Sequence, residues 1–157
     1  MRSAWRSAAH YVHAIGKEDA RVPREDWQVE FFKDPRTGQV PGREFLERIP
    51  DEPAAELLAT LKAVEGTRPP FAFRGGARWQ AMHDEMSGWF EARDKHEKLL
   101  YRLFVRLDRD PPGLPHHAIV VIDGDAKRNE TAFAADFYAD RREQWEVYAR
   151  TDPRSVE

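Results

Sequence analysis

Residues 87–108 read SGWFEARDKHEKLLYRLFVRLD and contain the clearest alternating pattern in the chain. In 99–108 one set of alternate positions is apolar, namely Tyr101, Leu103, Val105 and Leu107. The other set carries Arg102, Phe104 and Arg106, so the two sets point to opposite faces of a strand. Residues 89–93 alternate in the same way, and DKHEK between the two segments is typical of a hairpin turn. The stretch therefore predicts two neighbouring antiparallel strands.

Two further strands are predicted on either side of this hairpin. Residues 118–123, AIVVID, form an apolar run that follows the proline-rich connection DRDPPGLPHH. Near the start of the chain, residues 27–32, WQVEFF, alternate with strand period. Because short connections join the last three predicted strands, we expect them to form an antiparallel meander.

Helical patterns occupy the remaining ordered segments. Residues 41–49 carry Pro41 in the first turn, and residues 52–65 place leucines at helical spacing before Gly66. A last helix is predicted over 134–150, with an aromatic stripe. We therefore expect an α+β domain, with an antiparallel-rich sheet of about four strands, a helical hairpin on one face and a C-terminal helix.

The domain is predicted to span 27–150. Residues 1–26 show only a weak helical pattern, which Gly16 and Pro23 interrupt, and we interpret them as an N-terminal extension. Residues 151–157 are interpreted as a C-terminal tail. The length of 157 residues suits a single domain.

Composition excludes several classes of chemistry. The chain has no cysteine, which rules out disulfides, thiol catalysis and zinc sites built on thiolates. No segment approaches the roughly 18 apolar residues of a membrane span, and the first residues lack the apolar core of a secretory signal. We therefore expect a cytoplasmic protein. The net charge is -3, yet residues 68–109 hold nine Lys/Arg against six Asp/Glu, so a locally basic surface is expected.

The order of elements, together with several short motifs, resembles the RelE/ParE toxin superfamily, in its HigB-like branch of phage-derived host-killing proteins. The motifs that carry the resemblance are WQVEFF, PGREFLERIP, MSGWFEARDKHEKLLYRLFVRLD, VVIDGDAKRNETAF and AADFYADRREQWEVY. They match the family's opening strand, first helix, two-strand core, last strand with its basic pair, and closing helix. The resemblance covers roughly 27–150.

The resemblance implies a RelE-like fold and an activity. Such toxins cut messenger RNA, usually on the ribosome, without a metal or another cofactor, and the RNA's own 2′-hydroxyl attacks the adjacent phosphate. The implied partner is a small antitoxin from a neighbouring gene, often one with a helix-turn-helix domain. Two alternatives remain open: a catalytically silent binding protein of the same fold, and a toxin that poisons DNA gyrase.

Cleavage by this route passes through a doubly anionic phosphorane, which needs cations and proton-transfer groups around it. The residues predicted to form the catalytic site are Arg93, Arg102, Lys127, Arg128 and His96. The two arginines lie on neighbouring predicted strands, the basic pair follows the third, and His96 falls in the predicted turn. Lys95, Arg106 and Tyr148 are added as substrate-binding residues. The alternative for each cation is a surface side chain paired with Glu91, Asp94 or Asp123.

The segment Asp123-Gly124-Asp125 admits more than one role. Two carboxylates after a strand suit a magnesium site. Beside a phosphate they raise the cost of binding through like-charge repulsion. One of them, Asp123 in particular, is otherwise a candidate general base, or a salt-bridge partner that weakens catalysis by engaging Arg93 or Arg102.

Overall fold

The computed structural model describes residues 26–128 and 135–157. The elements in chain order are β1 (Trp27–Phe31), α1 (Pro41–Arg48), α2 (Asp51–Glu65), β2 (Trp79–Ala81), β3 (Trp89–His96), β4 (Leu99–Asp108), β5 (His117–Arg128) and α3 (Ala135–Ala149). Apart from Asp26, the predicted N-terminal extension lies outside the described residues, as does the first residue of the predicted last helix. Among the helices of the described ranges, none combines the length and the apolar character needed to cross a bilayer.

The protein is α+β, with the strands arranged in the order β1-β5-β4-β3-β2. β3, β4 and β5 run antiparallel to their neighbours, as predicted. The sheet as a whole differs from the expectation, because it is mixed and has five strands rather than about four. β1 pairs with β5 in parallel, and the short strand β2 pairs with β3 at the opposite edge. The parallel pair is possible because the long intervening chain supplies the crossover that such pairing requires.

The turn between β3 and β4 is shorter than the sequence indicated. Glu97 and Lys98 both have positive φ values, 52° and 76°, which is the geometry of a two-residue type I′ turn. This turn matches the natural twist of the flanking strands, and His96 pairs with Leu99 immediately beside it. The prediction that His96 lies in the turn is therefore wrong, because His96 is the last residue of β3.

β5 is longer than predicted, since it runs from His117 to Arg128 rather than over 118–123. Asp123-Gly124-Asp125 lies within the strand, although glycine and aspartate are both poor strand formers. Gly124 is tolerated because the Phe45 ring of α1 occupies the space where a Cβ would stand. The motif is therefore a close-packing site for α1.

A β-bulge divides β5 into two phases. Ile122 is the residue that the pairing register with β4 skips. Side chains alternate along a strand, so one additional residue exchanges the faces for everything that follows. As a result, the odd-numbered residues from Asp123 to Lys127 point to the same face of the sheet as Val120.

Each face of the sheet has its own core. The helix-hairpin face is covered by α1 and α2, with a buried cluster that includes Phe45, Leu57, Leu61, Leu103 and Ile119. The α3 face is covered by α3, with a buried cluster that includes Phe32, Trp89, Phe104, Ile122 and Tyr148. The predicted pairing of two helices over one face is confirmed, and the C-terminal helix covers the other.

The last residues of the C-terminal segment, 155–157, lie beside the end of β1. The Lys33 amide donates to the carbonyl of Ser155 at 3.1 Å, and the Glu157 amide donates to the carbonyl of Phe31 at 2.9 Å. An isolated antiparallel bridge joins Phe32 and Val156. The segment that sequence analysis set apart as a tail therefore shields part of the outer edge of β1.

Candidate functional site

Three of the predicted cations meet on the α3 face. Arg93 on β3 and Arg102 on β4 are register partners, so their side chains point to the same side of the sheet. Lys127 on β5 follows the phase set by the bulge and pairs with Leu100, two residues from Arg102. We refer to Arg93, Arg102 and Lys127 as the cationic cluster.

The charges of the cationic cluster act on one another. The pKa of Lys127 is lowered, mainly by burial and then by the positive charges of Arg102 and Arg93. The carboxylate of Glu91 works in the opposite direction and raises the pKa. Together with the strand register, these effects indicate that the three cations lie near one another on one face, which is an arrangement that suits a bound phosphate.

Glu91 is part of this region, and the ion pairs expected for Arg93 and Arg102 in the alternative interpretation are both formed with it. It is 7% exposed, and its Oε2 atom lies 3.3 Å from Arg102 Nη1. Its Oε1 atom lies 3.7 Å from Arg93 Nε, and Arg93 Nη1 also donates to Gln80 Oε1 on β2 at 2.8 Å. The signal was the Glu-x-Arg spacing of 91–93, because residues two apart in a strand share a face.

Asp125 adds a second carboxylate beside the cluster. It is the register partner of Arg102 on β5 and therefore shares its face. Its Oδ1 atom accepts a hydrogen bond from the Ala126 amide at 2.7 Å, which fixes the orientation of the carboxylate. Asp125 is partly exposed.

Asp123 has a different role from Asp125. Its Oδ2 atom lies 3.1 Å from Arg141 Nη2 and accepts a hydrogen bond from Gln144 Nε2 at 3.2 Å, both on α3. Its Oδ1 atom accepts a hydrogen bond from the Gly124 amide at 2.8 Å. Burial raises the pKa of Asp123, and the charge of Arg141 only partly offsets this effect. The predicted proton-transfer role does not fit these contacts, since both oxygens of Asp123 hold α3 and the local backbone.

Arg128 and His96 point away from the cationic cluster. Arg128 follows Lys127 in a regular strand and pairs with Leu99, so it lies on the helix-hairpin face. His96 lies on that face too, with Nε2 3.8 Å from Glu52 Oε2 of α2. The structure therefore does not bring these two predicted catalytic residues to the site.

The predicted substrate-binding residues divide into two groups. Lys95 is exposed and lies on the face of Arg93, at the rim of the cluster. Arg106 lies further along β4, with its guanidinium 5.6 Å from the Trp89 ring centroid and 4.5 Å from that of Trp145. Burial lowers the pKa of Arg106. Arg106 is therefore engaged between two tryptophans, at a distance from the cluster.

Tyr148 is a core residue. Its side chain is fully buried, and its hydroxyl donates to Asp108 Oδ2 at 2.8 Å. Burial and the charge of Asp108 raise the pKa of this phenol. The predicted contact with substrate does not fit this position, because α3 packs the Tyr148 ring against the sheet.

The metal interpretation of Asp123-Gly124-Asp125 lacks a third ligand. Within residues 26–128 and 135–157, no group of three or more His, Cys, Asp or Glu side chains is placed to hold a metal ion. The two aspartates share a face, but their contacts differ, since Asp123 is bound to α3 and Asp125 lies beside Arg102.

The arrangement as a whole is suited to binding and polarising a phosphodiester. Arginine presents a planar fork of donors that matches phosphate oxygens, and two such forks lie side by side here with a lysine next to them. No protein-family model, curated protein or solved structure matches this chain.

Proposed function

We propose that the protein is the toxin of a type II toxin–antitoxin pair, with a RelE-like fold of the HigB-like branch. In this proposal it acts in the cytoplasm as a metal-independent endoribonuclease that cuts messenger RNA on the ribosome. The observation that carries the proposal is the convergence of Arg93, Arg102 and Lys127 on one face of the sheet. The antiparallel order of β3, β4 and β5 agrees with the fold expected from the motifs.

The cationic cluster suits the charge that develops during cleavage. In the proposed reaction, Arg93 and Arg102 bind the non-bridging oxygens of the scissile phosphate. Their charge stabilises the doubly anionic phosphorane more than it stabilises the singly charged diester, and this difference is what accelerates the step. The positions of Arg93 and Arg102 on neighbouring strands hold the two positive charges in place before the substrate arrives.

Two neighbouring side chains supply the proton transfers. Asp125 accepts the proton of the attacking 2′-hydroxyl while the 2′-oxygen forms its bond to phosphorus. The bond from phosphorus to the 5′-oxygen then breaks, and Lys127 donates a proton to the leaving oxygen. The products are a 2′,3′-cyclic phosphate and a 5′-hydroxyl. The lowered pKa of Lys127 makes it a stronger acid than an ordinary lysine, which favours this transfer.

A small antitoxin from a neighbouring gene is the proposed partner. We expect it to cover the α3 face at the cationic cluster and to offer acidic side chains to Arg93 and Lys127. Co-expression with the adjacent open reading frame should then restore growth. If neither neighbouring gene protects the cell, this part of the proposal is contradicted.

The activity is tested with three matched arginine variants. Wild type, Arg93→Ala, Arg102→Ala and Arg128→Ala are expressed from a tightly controlled promoter, and growth and messenger-RNA ends are followed, with purified protein assayed on ribosomes in chelator. Loss of a cation that contacts the transition state should reduce cleavage roughly a hundredfold. Arg128→Ala is the control, because this arginine lies on the opposite face and should leave cleavage intact.

Two results would overturn the proposal. A wild-type protein that is harmless and leaves RNA intact on ribosomes would favour the silent binding protein. Equal losses in Arg93→Ala and Arg128→Ala would show that the position of the cationic cluster does not determine activity.

A further inference from the structure

The two arginines of the cationic cluster repel each other and need an anion to hold them together. Arg93 and Arg102 stand directly opposite each other on adjacent strands, and like charges in this position repel. Glu91 is the carboxylate that approaches both, at 3.7 Å and 3.3 Å. It is almost fully buried, so its charge is poorly screened by water.

Glu91 acts on the arginines through charge more than through directed hydrogen bonds. Its Oε2 atom accepts no hydrogen bond from the described residues, and its 3.7 Å contact with Arg93 exceeds hydrogen-bond length. A Glu91→Gln substitution therefore removes the main interaction while it preserves the shape of the side chain.

We propose that Glu91 is a positioning residue of the ribonuclease site, an inference that rests on the proposed function. Its carboxylate holds Arg93 and Arg102 side by side for the phosphate, and it keeps Lys127 in the protonated form that donates to the leaving oxygen. In this arrangement Glu91 does not touch the reacting atoms, because its carboxylate is almost fully buried and approaches the two guanidinium groups.

The charges around Lys127 explain how Glu91 helps to keep this lysine protonated. Those that share its face include Arg102 on β4, Glu91, Arg93 and Lys95 on β3, and Asp123 and Asp125 on β5 itself. On α3, Arg141 contacts Asp123, and Asp136 in the first turn is exposed. Glu91 is the carboxylate of this set that opposes the lowering of the Lys127 pKa by Arg102 and Arg93. Without its charge, Lys127 should lose its proton at a lower pH.

Glu91→Gln should therefore separate binding from turnover. An RNA with a 2′-deoxy nucleotide at the cleavage point should bind to Glu91→Gln at least as tightly as it binds to wild type, because the variant has lost one negative charge near the phosphate. The kcat should fall about tenfold or more, because the arginines are no longer held together. The alkaline limb of the pH–rate profile should move to lower pH by roughly half a unit or more.

Three further variants isolate these effects. Glu85→Gln makes the same charge change at an exposed residue that pairs with Arg142, and it should alter neither binding nor the pH profile. Glu91→Asp keeps the charge but shortens the side chain, so kcat should fall while the alkaline limb stays near its wild-type position. Lys127→Arg should remove that limb from the accessible range, because arginine does not lose its proton there.

The outcomes decide the proposal even if Glu91→Gln fails to fold. Equal losses of binding and turnover with an unmoved alkaline limb would show that Glu91 is merely structural, and no change at all would show that its charge does not position the arginines. If Glu91→Gln is unfolded, Glu91→Asp serves instead, and an alkaline limb that moves despite the retained charge overturns the proposal. If wild type cuts no RNA, the proposed function fails, but NMR titration of Lys127 in wild type and Glu91→Gln still tests whether Glu91 holds its proton.

Discussion

The carboxylate of Asp123 on β5 and the guanidinium of Arg141 on α3 form an ion pair at 3.1 Å, with both side chains only 14% exposed. Gln144 adds a hydrogen bond from the next turn of the same helix. The pair lies beside the cationic cluster and anchors the helix that covers one end of the α3 face. Its protonation therefore concerns the stability of the fold and not the transfer of protons to substrate.

Asp123→Asn should change how stability depends on pH. The pKa of Asp123 is raised in the folded protein, chiefly by burial. Such a carboxyl contributes stability that is fully present below its unfolded pKa of about 3.9 and is lost as pH rises through the folded value. The free energy of unfolding of the variant relative to wild type should therefore increase from about pH 3 to pH 7. Urea unfolding across this range measures it, and the exposed Asp136→Asn is the control. A difference that stays constant with pH would contradict the expectation.

Tyr148→Phe should lower stability without affecting cleavage. The buried hydroxyl donates to Asp108, which also pairs with Arg154 Nε at 3.0 Å. Loss of a buried hydrogen bond to a charged group costs about 2 kcal/mol. Chemical denaturation should show this decrease, while RNA cleavage per folded molecule should remain at the wild-type level. Lost cleavage with unchanged stability would instead restore Tyr148 as a substrate-binding residue.

Gly124→Ala should destabilise the protein by about 1–3 kcal/mol, because the new methyl group would overlap the Phe45 ring and force α1 away from β5. Gly66→Ala is the matched control at the end of α2. Its backbone has a φ of -79°, and its nearest heavy atoms to an added Cβ lie at 3.6 Å and beyond. That variant should be as stable as wild type or slightly more so. Thermal unfolding distinguishes the two, and equal melting temperatures would show that α1 is not closely seated on Gly124.

Arg106→Ala should reduce stability by about 1–2 kcal/mol, through lost cation–π contacts with Trp89 and Trp145 and lost packing of the side chain. Tryptophan fluorescence should change with it, since both rings lose a neighbour. Binding of an uncleavable RNA should be unaffected, in contrast to Arg102→Ala. A selective loss of RNA affinity in Arg106→Ala would show that RNA reaches this part of the α3 face.

Much of the fold could be predicted from local patterns. The alternation of 99–108 required a strand, the two helices over 41–65 had their own start and stop signals, and short links implied antiparallel neighbours. The parallel pairing of β1 and β5 could not be predicted in this way, because it joins segments about 90 residues apart. β2 was missed since three residues are too few to show a period.

Only part of the candidate site could be predicted, because some of its residues depend on a bulge and on strand length that local patterns do not show. Arg93 and Arg102 came from regular alternation on both sides of one hairpin, and the structure places them as partners. The faces of Lys127 and Arg128 depend on the bulge at Ile122, which has no signature in the sequence. The position of His96 was not predicted because the strand was expected to end at Arg93, whereas β3 continues to His96 and its regular alternation places His96 on the face opposite Arg93.

The bulge also bears on how this chain tolerates change. The residues of β5 before the bulge pack in the two cores, whereas those after it place charged side chains beside the cationic cluster. A regular strand without the bulge, in which Ile122 itself paired with Phe104, would turn Gly124 and Ala126 toward the α3 face and Asp123, Asp125 and Lys127 toward α1 and α2. Deletion of Ile122 would instead remove the extra residue and leave Asp123 opposite Phe104, with the later side chains on their present faces. The extra residue at Ile122 therefore decides whether Gly124 or three charged side chains meet α1.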